Sequence, residues 1–156
     1  MHQIERGVDL FQPHHVGDHR IDLDLAGHVH IDDPRHIGAA LGTAKRFYDA
    51  SLGALGVPAG EIDIQGRLVY MYGGGRLVIR TPLNGEPAHG ANGGTLGLLA
   101  ATPAEVDAWH SAGLANGGTT IEDPPGERRP PDGRVLYLAY LRDPSGNKLC
   151  GFHRIK

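Results

Sequence analysis

His28 and His30 stand two residues apart in "AGHVHID" (26–32), and Cys150 is the chain's single cysteine. On an extended segment, residues two apart point the same way, so the two imidazoles share a face. With one thiolate they compose a Cys-His₂ set, which zinc accepts with a fourth position left open. Without a metal, an imidazole beside Cys150 would lower the thiol's pKa and create a nucleophile. A plainer reading makes both histidines polar wall residues of a wet cleft and Cys150 a small apolar filler, the common behaviour of a lone buried cysteine. No carboxylate is clearly placed to orient the imidazoles, as metal sites generally require. We therefore expect no metal or other cofactor, with zinc on His28, His30 and Cys150 as the exception to test.

Other side chains suit binding better than bond-making. Tyr70 and Tyr72 share one face of "RLVYMY" (67–72), and Tyr137 lies in "RVLYLAYLR" (134–142). Each offers a flat apolar body with a polar tip, which fits a ring-bearing ligand. Arg80, in "RLVIRT" (76–81), would pair with a carboxylate or other anion. Phe152 alternates onto the face of Cys150. There is no Gly-x-Ser-x-Gly elbow and no dinucleotide fingerprint. "GGG" (73–75) lacks the lysine and helix of a phosphate loop.

These residues depend on the elements that carry them. After the opening strand at 26–32, Asp33 reads as an N-cap and Pro34 as a first helical residue. Ile37, Leu41, Ala44, Phe47 or Tyr48, Leu52 and Leu55 form a helical stripe, and Gly56 can close it. Strands are expected at 61–66, 67–72 and 76–81, followed by a polar loop at 82–94. The pattern then repeats. A strand at 94–100 leads to a helix opened by Thr102, Pro103 and Glu105, with Val106, Trp109 and Leu114 as its stripe. Strands follow at 118–123, 134–142 and 148–154, with a proline-rich loop at 124–133. In "LRDPSGNKLCGF" (141–152) the turn residues Asp143, Pro144 and Gly146 pin the register of the last strand. That register puts Leu149 and Gly151 toward the helix and Cys150 and Phe152 toward the cleft.

The 156 residues suffice for one domain, with 40% hydrophobic residues for a core and 24 glycines for its turns. A net charge of −3 with mixed signs is no nucleic-acid footprint. No apolar run approaches the roughly 20 residues of a membrane helix. One cysteine makes no internal disulfide. The N-terminus shows no apolar signal-peptide core, and a cytoplasmic location is expected. Residues 1–25, with His2, His14, His15 and His19, read as a His-rich extension ahead of a domain spanning 26–154.

Strand, helix, three strands, twice over, resembles the vicinal oxygen chelate superfamily of glyoxalase I, bleomycin resistance proteins and extradiol dioxygenases. "AKRFYDASLGALG" (44–56), "ANGGTLGLLAATPAEVDAWHSAGLANGG" (91–118) and "YLAYLRDPSGNKLCGFHR" (137–154) carry the resemblance. It implies an α+β fold in which two βαβββ modules, 26–81 and 94–154, pair as half-barrels in a curved mixed sheet around a cleft, with helices outside. Metal-dependent members hold their ion with four cleft-facing ligands. Carried over, these fall on His28, on Ile79 or Arg80, on Thr95 or Leu96, and on Cys150. Only the first matches.

The resemblance thus implies a glyoxalase/bleomycin-resistance-like protein whose metal site is degenerate. It would bind a small, ring-bearing molecule, with a homodimer expected and no nucleic-acid or membrane partner. The alternative is a metal-dependent lyase, isomerase or dioxygenase of the same superfamily, using a non-standard His/Cys site. A metal-free enzyme using His28, His30 or Cys150 as base or nucleophile is a third reading.

Overall fold

A computed structural model describes residues 38–156 and the backbone of two short strands before them. The chain divides between Asp33 and Pro34 into two units. In the first, β1 (Asp22–Leu23) pairs antiparallel with β2 (Val29–His30). The expected helix start at Asp33 and Pro34, and Ile37, lie outside the described residues.

In the second unit, α1 (Ala39–Gly53) begins at Gly38 without a side-chain cap. It buries Leu41, Ala44, Phe47, Tyr48 and Leu52, the expected stripe. Gly56, at φ +79°, follows the helix. A three-stranded antiparallel sheet comes next, β3 (Glu61–Ile62), β4 (Leu68–Tyr72) and β5 (Gly75–Ile79). Gly73 and Gly74, both at positive φ, turn β4 into β5. Two consecutive left-handed residues match the twist of a tight hairpin.

The second module is complete. β6 (Leu96–Leu99) leads into α2 (Pro103–Ala115), then β7 (Thr119–Arg128), β8 (Leu136–Arg142) and β9 (Lys148–Arg154). The sheet order is β6-β9-β8-β7, with β6 parallel to β9 and the other pairs antiparallel. Thr102 caps α2 by accepting from the Glu105 amide at 3.2 Å. The Glu105 carboxylate accepts from the Ala101 amide at 2.8 Å, one residue short of the usual reciprocal partner. The fold is therefore α+β with a mixed four-stranded sheet, a separate three-stranded sheet and no closed barrel among the described residues.

Three expectations are corrected. The strand expected at 61–66 ends at Ile62, where a turn held by Asp63 begins. The proline-rich segment is not all loop, since β7 runs through Pro124 and Pro125 to Arg128. The register jumps from Ile121↔Tyr140 to Gly126↔Leu138, so the prolines sit in a bulge on an edge strand, where a missing N–H breaks no ladder. Leu114 is 40% exposed, and α2 instead buries Val106, Trp109, His110 and Gly113. One apolar core joins the helix-facing sides of both sheets, including Phe47, Tyr70, Trp109, Leu141 and Leu149.

Candidate functional site

The closing hairpin is where two sequence motifs meet. Gly146 sits at φ +88°. Asp143 Oδ1 accepts from the Ser145 and Asn147 amides at 2.9 and 2.8 Å. Its Oδ2 accepts from Asn147 Nδ2 at 2.9 Å and from the Tyr48 hydroxyl, on α1, at 2.7 Å. Both Asp143 and Tyr48 are buried. Burial raises the Tyr48 pKa far above the usual phenol range, and the neighbouring Asp143 charge adds to this. Tyr48 therefore donates to Asp143 as a neutral hydroxyl, and all four partners of this carboxylate are hydrogen donors.

Beside this hairpin lies a cavity of about 430 Å³. Its walls come from Leu77–Ile79 of β5 and Arg80 just after it, Ala88 and Ala91 of the connecting loop, Gly94 and Thr95 leading into Leu96 of β6, and Leu149 of β9. Tyr48, Asp143, Ser145, Asn147 and Lys148 complete it. A second cavity of about 380 Å³ shares Ile79, Arg80, Ala88 and Ser145 and continues toward Leu41 and Ala44 of α1. The volumes suit a small organic ligand.

The outer face of the four-stranded sheet is a different surface. Cys150 pairs with Tyr140 and Phe152 with Leu138 in the β8–β9 ladder. These face away from α2, as the hairpin register requires, because Leu149 and the Gly151 backbone pack toward Trp109. The Lys148 ammonium contacts Glu122 and lies 4.6 Å from the Tyr140 ring centre. Glu122, at φ +59°, is the non-glycine residue in the left-handed region among those described, a strained conformation set by the β7 bulge. Burial pushes the Cys150 thiol above its usual range, outweighing the opposing hydrogen bond with Tyr140. The thiol stays protonated at neutral pH and is a poor nucleophile.

The sequence-derived site residues therefore separate. Arg80 lines the cavities, while Cys150 and Phe152 lie on the outer sheet face. Tyr70 is a correction. It is 1% exposed in the core and donates to Asp49 Oδ1 of α1 at 2.7 Å. Tyr72 packs against the same core and donates to the Leu99 carbonyl. Tyr137 is also turned toward the helix layer, donating to Asp107 Oδ1 of α2 at 2.9 Å. All three face the helices because the apolar partners on their strands do. His28, and the side chain of His30, lie outside the described residues. Sequence reasoning missed Tyr140, Glu122 and Lys148 on the outer face, and Tyr48, Asp143 and Asn147 at the cavity.

The metal set implied by resemblance does not fit these residues. Ile79, Arg80, Thr95 and Leu96 all border the cavity, but they offer aliphatic groups, a guanidinium and one hydroxyl. A guanidinium has no lone pair to give. Cys150 points to the opposite side of β9 from the cavity-lining Leu149. Among the described residues, no three histidine, cysteine, aspartate or glutamate side chains gather to hold an ion.

No protein-family model and no curated protein matches the sequence. Solved structures do match. A glyoxalase/bleomycin resistance protein from Albidiferax ferrireducens T118 is 51% identical over 76% of this chain and 93% of its own, with a TM-score of 0.70. A glyoxalase-related enzyme from Fulvimarina pelagi shares 19% identity over 75% of this chain and 81% of its own, with a TM-score of 0.54. A virulence protein from Salmonella typhimurium shares 24% over 74% and 88%, with a TM-score of 0.50. The last two are alike in fold alone.

Proposed function

We propose that this chain, which belongs to the glyoxalase/bleomycin resistance protein family, binds a small ring-bearing molecule in the cavity between β5, β6 and the closing hairpin. The observation that carries this reading is the cavity itself, whose apolar walls of Leu77, Ile79, Leu96 and Leu149 meet a polar rim of Thr95, Ser145 and Asn147. Apolar walls supply burial energy, and a few polar groups fix orientation. The reading requires no ion. It survives the unfilled ligand positions, since Ile79, Arg80, Thr95 and Leu96 can shape a pocket without coordinating anything.

A thermal-shift screen of ring compounds, charged and neutral, tests it, because a ligand of the native state raises the melting temperature by mass action. Hits are then measured on Ala88→Trp, which places an indole in the cavity from an exposed loop position. At least one series should bind the native chain and lose ten-fold or more in the variant. If every hit binds both proteins alike, the ligand sits elsewhere and the assignment fails.

A homodimer belongs to the same proposal. Among the described residues no helix packs on the outer sheet face, where Leu99 is 56% exposed beside half-buried Phe152. A sheet face of this kind gains from cover. Sedimentation should give a dimer at tens of micromolar, dissociated by Leu99→Glu; a monomeric native chain would end this part of the proposal.

A further inference from the structure

We infer that the ligand of the cavity carries a single carboxylate, held by Arg80; this deepens the binding reading above and rests on it. The charges at the walls decide the sign. Asp143 is the carboxylate lining the larger cavity, Glu86 lining only the second, and both Asp143 oxygens are already taken by Ser145, Asn147 and Tyr48. It has no free acceptor with which to draw a cation. Lys148 contributes to the wall, but its ammonium is committed to Glu122 and the Tyr140 ring on the outer face.

Arg80 remains. It borders both cavities and forms no ion pair among the described residues. Its one hydrogen bond among the described residues runs from Nε to the Thr81 carbonyl at 3.3 Å. Among the described residues nothing accepts from the terminal nitrogens, and their planar fork matches the two oxygens of a carboxylate. The apolar lining of the same cavity, Leu77, Ile79 and Leu149, suits the ring of the same molecule. One available guanidinium argues for one anionic group, so the class is a small cyclic or aromatic monocarboxylate.

Titration calorimetry of the full chain with benzoate and phenylacetate, against benzamide and phenylacetamide, tests this. The acids should bind at least ten-fold more tightly than their amides. Arg80→Ala should erase that preference. Arg80→Lys, which keeps the charge but not the fork, should retain part of it. Arg80 is exposed, so both variants should fold, which unchanged melting temperatures would verify. Equal binding of acids and amides to the native chain, or an acid preference untouched in Arg80→Ala, overturns the carboxylate assignment and leaves the cavity reading standing. Failure of all four probes, with no hit in the wider ring-compound screen, removes both.

Discussion

Replacing Asp143 by alanine is expected to lower stability by about 3 kcal/mol, a fall in melting temperature on the order of 10 °C. The carboxylate accepts four hydrogen bonds, from the Ser145 amide, the Asn147 amide, Asn147 Nδ2 and the Tyr48 hydroxyl. Bonds to a charged acceptor contribute about 1.5–3 kcal/mol each when removed singly, and members of one network do not add. Alanine removes all four and leaves the buried Tyr48 hydroxyl with nothing to donate to, which is the costly half of the change. Tyr48→Phe removes one donor and leaves the carboxylate three others, so about 1–2 kcal/mol is expected. Chemical denaturation of both variants checks the order. An Asp143→Ala protein within about 0.5 kcal/mol of native, the usual scatter for a neutral surface change, would mean that the Asp143 network does not hold the hairpin.

The second large effect lies on the other side of β9. Trp109 is fully buried against the sheet, and a Cβ at Gly151 would fall 2.5 Å from its Cε3 atom. That is well inside van der Waals contact, and the ring has nowhere to go in a close-packed core. Trp109→Ala should cost about 3–5 kcal/mol through lost burial and the cavity left behind. Gly151→Ala alone should cost about 1–3 kcal/mol by overpacking. Together the two should cost clearly less than their sum, because the methyl group enters space the indole has vacated. A strictly additive double-mutant cycle would show that glycine is required at 151 for some reason other than the tryptophan.

Both predictions concern residues that the sequence marks in different ways. Trp109 was legible from helical spacing, and the packing of Gly151 toward α2 follows by counting along the last strand from its turn. The same count should have found Tyr140. Pairing runs from Arg142↔Lys148 at the turn to Tyr140↔Cys150, so the tyrosine beside Cys150 is Tyr140, and Tyr137 falls on the helix side. Alternation along β8 separates the two tyrosines but does not say which face is covered; the register of the hairpin does. Tyr70 and Tyr72 were misplaced for a related reason. Their strand alternates cleanly, yet the side that meets α1 is settled by Leu68, Leu77 and Ile79 packing with them.

Local chemistry was enough for α2 and its cap, the buried stripe of α1, the hairpin turn, the order of elements and the kinship, because a capping side chain, glycines at positive φ and apolar periodicity act within a few residues of themselves. Contacts across long separations were beyond it. The bond from Tyr48 to Asp143 spans 95 positions, and the cavity draws on the first module, its loop and the final hairpin at once. Which wall faces which depends on how two sheets and two helices share one core, a balance of buried area over the whole unit that no short window of residues contains.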